Sequence, residues 1–356
     1  MVSELFWAVV QNSCRLCSVI GICFLYRKIH YTRRKKGVVM ELGRRDFLKK
    51  TSLAVMAVVG GIQAGEGPMQ EGDVKALQRE LDAIPGGEFK KFRDFGPSLA
   101  DEKRDELYAK WPVLRRYDDA FLKVMREIDG TEVAERPAVW FVYNMGVIVK
   151  TPKALFSIDL SHRLSTMLAD KLDFMIITHN HFDHYTEMLY QAMDSRHKTV
   201  IQNFLDNYGA CLRVKGGLGG FSRGECRYTI KDVVIRTYET NHNHLLKGYV
   251  MPVEVQVGDY TILHVGDTFN TGDLKPERTP DLFIHHAWCW GGSNQTMDGI
   301  KAFHPKCAVI AHHCELGHNR KTGGGSVPLA RAYARKAKVE AAGTHAIAPF
   351  WGDRIA

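Results

Sequence analysis

The stretch that decides the fold is Asp173-Phe174-Met175-Ile176-Ile177-Thr178-His179-Asn180-His181-Phe182-Asp183-His184. Residues 173–177 form an apolar run that predicts a buried strand, and the pattern H-x-H-x-D-H follows directly at its carboxyl end. Two imidazoles separated by one residue in an extended turn can point into one cavity, and the following aspartate and histidine can face a second ion. Because imidazole and carboxylate groups together suit zinc and comparable divalent metals, the stretch predicts a metal site.

Three further polar signals lie downstream, each at the end of a predicted strand. Residues 260–265 run into Gly266-Asp267-Thr268, where a carboxylate follows a glycine that lets the backbone approach closely. Residues 308–310 run into Ala311-His312-His313, and residues 233–238 precede a segment that contains His242 and His244. Each signal alone is weak, but their common position at strand ends favours one shared site.

The order H-x-H-x-D-H, then His, then Gly-Asp-Thr, then His resembles the metallo-β-lactamase superfamily over residues 137–356. The resemblance implies an α/β fold, a four-layer αββα sandwich. Within the superfamily the chain looks most like the branch of the L-ascorbate-6-phosphate lactonases, in which the third histidine precedes a glycine and a strand, as His242 and Gly248 do here. That branch usually has Ile-Pro-x-His at the last ligand, so the resemblance favours His313 over His312, with Ala311 in place of the proline.

The resemblance also implies the ligand set of two divalent metal ions. One ion would be held by His179, His181 and His242; the other by Asp183, His184 and His313; Asp267 would bridge the two ions. Asp159, at the end of the predicted strand 155–158, matches an aspartate that supports the metal loop. Zinc is the foremost metal for these ligands, with manganese or iron as alternatives.

The chemistry expected of such a site is hydrolysis of a small-molecule substrate. Two cations would activate a water near neutral pH, Asp183 and Asp267 would serve the reaction, and the leaving group needs a proton donor. His244 and His312 are the candidate donors, although both could instead orient ligands, as we expect of His264.

Several reactions remain open at this level. A lactone or another ester is the first expectation, and a phosphodiesterase or phospholipase-D-like hydrolase is the alternative. A glyoxalase-like thioesterase is a further possibility, whereas a flavodiiron-type oxidoreductase is disfavoured because His181 stands where that group has glutamate. A non-catalytic metal-binding exported protein is the rival from another class, although its expected mark, a lost ligand, is missing.

The basic charge of the chain is concentrated at its front. The formal net charge is +8 over 356 residues, but 11 of the 48 basic and 3 of the 40 acidic residues precede residue 65. Residues 65–356 therefore carry 37 of each sign and are formally neutral. We expect no nucleic-acid partner, because no excess positive charge remains to attract a polyanion.

The front of the chain predicts an export signal. Residues 43–50 contain paired arginines (Arg44, Arg45) followed by Phe-Leu-Lys, and an apolar run at 53–62 leads to a plausible cleavage position at Ala64. This order closely resembles a bacterial twin-arginine signal, which implies the twin-arginine export machinery as a partner and a periplasmic or otherwise extracytoplasmic location. We assign the signal to residues 40–64, with Met40 as the start.

Residues 1–39 would then be an upstream mis-start or, as the alternative, a weak membrane anchor over 6–26. No stable anchor is expected after cleavage. Five of the eight cysteines follow residue 64, widely spaced, so the pattern does not predict a disulfide framework.

The remaining sequence predicts a helical extension over residues 65–136 and the hydrolase domain over 137–356. Helices are expected at 74–81, 100–111 and 117–128, with a break at Pro85-Gly86-Gly87. In the second region we expect helices at 164–171 and 185–192. Strands are expected at 139–143, 146–150, 155–158, 174–178, 199–202, 233–239, 249–257, 260–265, 282–285 and 308–312.

Overall fold

The computed structural model describes residues 71–203, 226–243, 246–287, 295–318 and 327–356. The predicted export signal at 40–64, the segment 1–39 and the candidate proton donor His244 all lie outside these ranges. Among the described helices, none is long and apolar enough to cross a membrane.

The first sheet has five strands that follow one another in chain order. They are β1 (Ala138–Tyr143), β2 (Gly146–Lys150), β3 (Leu155–Ile158), β4 (Phe174–Ile176) and β5 (Thr199–Ile201). The pairs β1–β2 and β2–β3 are antiparallel, whereas β3–β4 and β4–β5 are parallel. The carboxyl ends of β3 and β4 therefore lie at the same edge of the sheet.

The second sheet has seven strands and is also mixed. They are β6 (Cys226–Ile230), β7 (Val233–Thr237), β8 (Val253–Val257), β9 (Tyr260–His264), β10 (Leu282–His286), β11 (Cys307–Ala311) and β12 (His345–Ile347), in the order β12-β11-β10-β9-β8-β7-β6. Strands β9 to β12 are mutually parallel. The carboxyl ends of β9 and β11 thus open onto one edge.

Two apolar clusters organise the layers. The larger one joins side chains of both sheets, such as Phe141 and Ile158 with Val255 and Ile284, so the sheets pack against each other. A second cluster covers the other face of the seven-stranded sheet with α6 (Gln295–Phe303) and α7 (Leu329–Ala341). Helix α5 (Glu187–Ser195) packs on the five-stranded sheet. The predicted α/β class with an αββα arrangement is confirmed.

The N-terminal helices belong to the same core. They are α1 (Glu71–Ala83), α2 (Gly86–Asp94), α3 (Asp101–Lys110) and α4 (Pro112–Gly130). Pro85 precedes α2 in extended conformation, so the chain breaks at Pro85 as predicted, whereas Gly86 and Gly87 already belong to α2. Leu81, Phe89 and Leu114 are fully buried in the cluster that also holds both sheets. The burial of these side chains ties the helical region to the sheets.

Some elements differ from their predicted bounds. The run 249–257 is a strand only from Val253, because Val250 makes an isolated bridge to Thr240 and Pro252 has no amide hydrogen to donate. The segment 164–171 contains only a short 3₁₀ helix at Ser165–Leu168. Strand β6 was not predicted, and its side chains are only partly buried.

Candidate metal centre

The loop that follows β4 carries four of the predicted ligands into the interior. His179 and His184 are fully buried, and Asp183 is 2% exposed. The Nε2 atom of His179 lies 3.0 Å from Nδ1 of His181, so both rings face the same point. The loop thus turns the side chains of His179, Asp183 and His184 inwards.

A first group of side chains forms around Asp267, which follows β9. The potential ligand atoms of His179, His181, His242 and Asp267 all lie within 4.8 Å of one another. Oδ2 of Asp267 is 3.3 Å from Nε2 of His242 and 3.7 Å from Nε2 of His179. This spacing fits one cation held by three imidazoles and a carboxylate.

A second group forms on the other side of Asp267. It consists of Asp183, His184 and His312, whose potential ligand atoms also lie within 4.8 Å of one another. Nε2 of His312 is 3.3 Å from Oδ2 of Asp183 and 3.4 Å from Oδ2 of Asp267. Oδ1 of Asp267 is 3.3 Å from Nε2 of His184, so the carboxylate of Asp267 lies between the two groups.

The preference for His313 over His312 is wrong for this geometry. His312 has a left-handed backbone with φ of 55°, and its amide donates to the carbonyl of Asn144 at 2.8 Å. That turn directs the ring of His312 to Asp183. The ring of His313 instead stacks on Phe141, with 5.9 Å between centroids, and burial lowers its pKa to about 4. His313 therefore belongs to the core.

The charge balance of the centre favours cations. Burial alone would raise the pKa of Asp183, but His184 and His312 hold it well below its usual range. The pKa of Asp267 is likewise lowered against burial by His312 and His184. Oδ1 of Asp183 is buried and has no hydrogen-bond partner among the described residues. An ionised, buried carboxylate oxygen without a donor is suited to a cation as its partner.

Asp159 lies behind the centre and orients one of its ligands. Its Oδ2 is 2.8 Å from Nδ1 of His184, and its two oxygens accept from the amide and hydroxyl of Thr178, both at 2.7 Å. With Nδ1 of His184 donating to Asp159, Nε2 is the nitrogen that faces the centre and can bind a metal. Asp159 thus contacts the centre through the ring of His184 and the backbone of Thr178.

His264 also lies outside both groups. One ring nitrogen, Nε2, lies 2.9 Å from the carbonyl of Met145, and Nδ1 accepts from the amide of Gly266 at 3.3 Å. These bonds fix the backbone just before Asp267. His264 thus acts on the centre through the position of Asp267.

Sequence reasoning missed Asn144. This residue lies in the turn between β1 and β2 with φ of 57°, and its Nδ2 donates to Oδ2 of Asp183 at 3.0 Å. Its carbonyl accepts from the amide of His312. One turn residue therefore positions two members of the second group. The sequence signals a turn at Tyr143–Gly146, but it does not show which way the amide points.

A cleft of about 340 Å³ opens beside the metal loop. Asn180 and Phe182 of the loop line it together with Arg93 and Asp94 at the end of α2 and with residues 185–188. The lining includes charges of both signs. None of the proposed metal ligands lines the cleft, so it neighbours the metal loop but does not open onto the ligands themselves.

The comparison with known proteins gives distant similarities. No protein-family model matches the chain. A UPF0173 protein of Pyrococcus abyssi is 24% identical over 194 residues, which cover 50% of this chain and 84% of that protein.

Solved structures show a general likeness to the fold. A possible metal-dependent hydrolase from Veillonella parvula has a TM-score of 0.47 at 14% identity and covers 62% of this chain and 99% of its own. Igni18, a metallo hydrolase from Ignicoccus hospitalis, has a TM-score of 0.46 at 18% identity, with 62% and 97% covered. An isothiocyanate hydrolase from Delia radicum gut bacteria has a TM-score of 0.44 at 15% identity, with 62% and 98% covered.

Proposed function

We propose that the chain is a metal-dependent hydrolase that cleaves a lactone or another ester with two adjacent divalent cations. The observation that carries the proposal is the position of Asp267 between two groups of ligands. His179, His181 and His242 would hold one cation; Asp183, His184 and His312 would hold the other; Asp267 would contact both. Zinc, manganese and iron all suit this donor set.

When bound, the two cations would activate a water and polarise the substrate oxygen that becomes negative. The chain's own groups orient the reaction. Oδ2 of Asp183 accepts a hydrogen bond from Asn144, which fixes the carboxylate that would hold the second cation. Asp159 holds the ring of His184, so the group does not reorganise during the reaction.

The first experiment pairs two aspartates at opposite ends of β9. Asp267 follows the strand, and Asp259 precedes it with a fully exposed side chain. We expect Asp267→Asn to abolish hydrolysis and lower the metal content while the thermal transition remains. The control, Asp259→Asn, should keep wild-type activity and metal content.

The assay is a screen of lactones, simple esters and phosphodiesters with the chain loaded with zinc or manganese, together with elemental mass spectrometry. Hydrolysis of phosphodiesters alone would transfer the proposal to a phosphodiesterase. Full activity of Asp267→Asn, or absence of tightly held metal in the reloaded wild type, would refute the two-cation hydrolase and favour a binding protein.

We also propose that the chain is exported through the twin-arginine pathway, on the support of Arg44, Arg45 and the apolar run at 53–62. In a bacterial host, Arg44→Lys combined with Arg45→Lys should leave the full chain in the cytoplasm. Export of that variant would contradict the proposal. A precursor peptide that contains Trp7 would show that translation starts before Met40.

A further inference from the structure

A buried carboxylate follows the metal-binding end of β11. Glu315 is fully buried, and its oxygens accept from the hydroxyl of Tyr143 at 3.0 Å and from the amides of Gly317 at 2.5 Å and His318 at 2.6 Å. The same carboxylate lies 2.8 Å from Nδ1 of His318. Glu315 is thus fixed by several donors and in turn fixes the histidine ring.

His318 lies at the border of the metal loop. Its ring packs against the ring of Phe182, with 5.0 Å between the two centroids. Phe182 is the residue between His181 and Asp183 in the sequence. The side chain is 28% exposed, whereas Glu315 behind it is inaccessible. Among the described residues no bond is recorded to Nε2 of His318. The ring of His318 is therefore held through Nδ1, and Nε2 is the nitrogen that can donate a proton.

We propose that His318, oriented by Glu315, is the general acid that protonates the leaving group. This inference rests on the proposed hydrolase function and assigns a role that the two metal groups leave open. His312, an earlier candidate for the donor, lies among the ligands, and a metal on Nε2 would remove its proton. A pairing of imidazole and carboxylate is a common arrangement for such a donor because the carboxylate sets the tautomer and stabilises the imidazolium.

The charges around the ring support its protonated form. Burial lowers the pKa of His318, but the hydrogen bond and charge of Glu315 outweigh it, so that the pKa is raised above its usual value. The charge of Asp183 also raises the pKa of His318, and that of His312 lowers it. Among the described residues, two cations of α2, Lys90 and Arg93, lie over the ring of Phe182 that His318 contacts.

His318 would supply the proton that the leaving group needs during cleavage. The oxygen of the attacking water forms a bond to the carbonyl carbon or phosphorus, and that water releases one proton to solvent. The bond between that carbon or phosphorus and the leaving oxygen then breaks. The leaving oxygen keeps the electron pair of this bond and takes the proton from Nε2 of His318. Solvent returns one proton to the ring, so the enzyme is restored.

The substrate class follows from this role. A leaving alkoxide needs a proton, whereas 4-nitrophenolate leaves without one. A positioned general acid is therefore worth about 10²- to 10⁴-fold only for substrates with alkoxide leaving groups. The natural substrate should accordingly be an alkyl ester, a lactone of an aliphatic alcohol or an alkyl phosphodiester.

The kinetic test compares matched substrates that differ only in the leaving group, one alkyl and one 4-nitrophenyl. We expect His318→Gln in the metal-loaded full chain to lower kcat/KM for the alkyl substrate by about 10²-fold or more and for the 4-nitrophenyl substrate by less than about 10-fold. His345→Gln, at an exposed position on β12, is the matched control and should behave as wild type.

A second readout does not depend on turnover. Nitrogen-15 spectra of the metal-loaded chain should show Nδ1 of His318 protonated and a titration above the ordinary value of about 6.5. Glu315→Gln keeps the size of the side chain but removes its charge, so it should bring this titration down. An unchanged titration in that variant would refute the positioning role of Glu315.

The outcomes separate the two proposals. If His318→Gln lowers both rates equally, or if His318 titrates at or below its ordinary value, the acid role is overturned while the hydrolase function stands. If wild type hydrolyses neither substrate of any pair, the hydrolase function fails and the acid role fails with it. Selective loss of the alkyl substrate supports both.

Discussion

Asp159→Asn tests the support of the metal centre with almost no change in shape. The carboxylate bonds Thr178 through both oxygens and His184 through Oδ2. An asparagine amide can replace one oxygen, but its NH₂ group then faces Nδ1 of His184. The imidazole of His184 must then adopt the tautomer in which Nδ1 accepts a hydrogen bond and Nε2 carries the proton. That nitrogen is the one that faces Asp267.

The magnitude follows from these bonds. Loss of a partner that orients a metal-binding histidine weakens metal affinity by about 10- to 100-fold, or about 1.4–2.7 kcal/mol. A hydrogen bond to a charged group contributes about 1.5–3 kcal/mol, so the free energy of unfolding of the metal-free chain should fall by about that much. The effect should be confined to one of the two cations, because His184 belongs to the second group.

The assay is zinc binding in competition with a chromophoric chelator, combined with urea unfolding of the metal-free chain. Asp173→Asn is the matched control. Asp173 precedes β4, at the end of the strand away from the metal loop, and its carboxylate accepts from the amide of Leu155 at 2.9 Å. That variant should lose stability but keep both zinc affinities. Zinc affinities within about twofold of wild type in Asp159→Asn would refute the orienting role.

Three further outcomes follow from the structure. His312→Ala should retain about one metal ion fewer per chain by elemental mass spectrometry, while His313→Ala keeps the wild-type count; the reverse result would move the ligand role to His313. Asp118→Ala should lower the free energy of unfolding by about 3–5 kcal/mol in urea titrations, because it leaves the guanidinium of Arg163, 4% exposed, without its carboxylate. Gly266→Ala should lower the melting temperature and the metal content together. Gly266 has φ of 54°, and an added Cβ would lie 2.6 Å from the hydroxyl oxygen of Thr178. Wild-type values of both quantities would show that the turn relaxes.

The position of the centre could be predicted because strand ends are visible in the sequence. An apolar run followed by His or Asp marks the end of β4 in one sheet and of β9 in the other, and within each sheet parallel neighbours bring such strand ends to one edge. The distinction between His312 and His313 was not visible, because it depends on one left-handed backbone angle after β11. The role of Asn144 depends on another such angle, in a turn whose composition fits many amide orientations.

The dyad of Glu315 and His318 was hidden for a different reason. Both residues follow the last strand-end signal, and neither interrupts an apolar pattern. The two residues are three positions apart, but the hydroxyl of Tyr143, which is distant in sequence, donates to Glu315 and helps to fix it. Contacts between residues so far apart leave no local trace in the sequence.

The apolar cluster shared by helices α1–α4 and the two sheets has a practical consequence for work with this protein. Trimming the chain to residues 137–356 would uncover the side chains that Leu81, Phe89 and Leu114 now cover. Such a fragment would expose an apolar surface to water and aggregate on expression. Material for crystallisation or assay should therefore begin before residue 71, and it should melt in one cooperative transition, since no boundary within the cluster separates two independent cores.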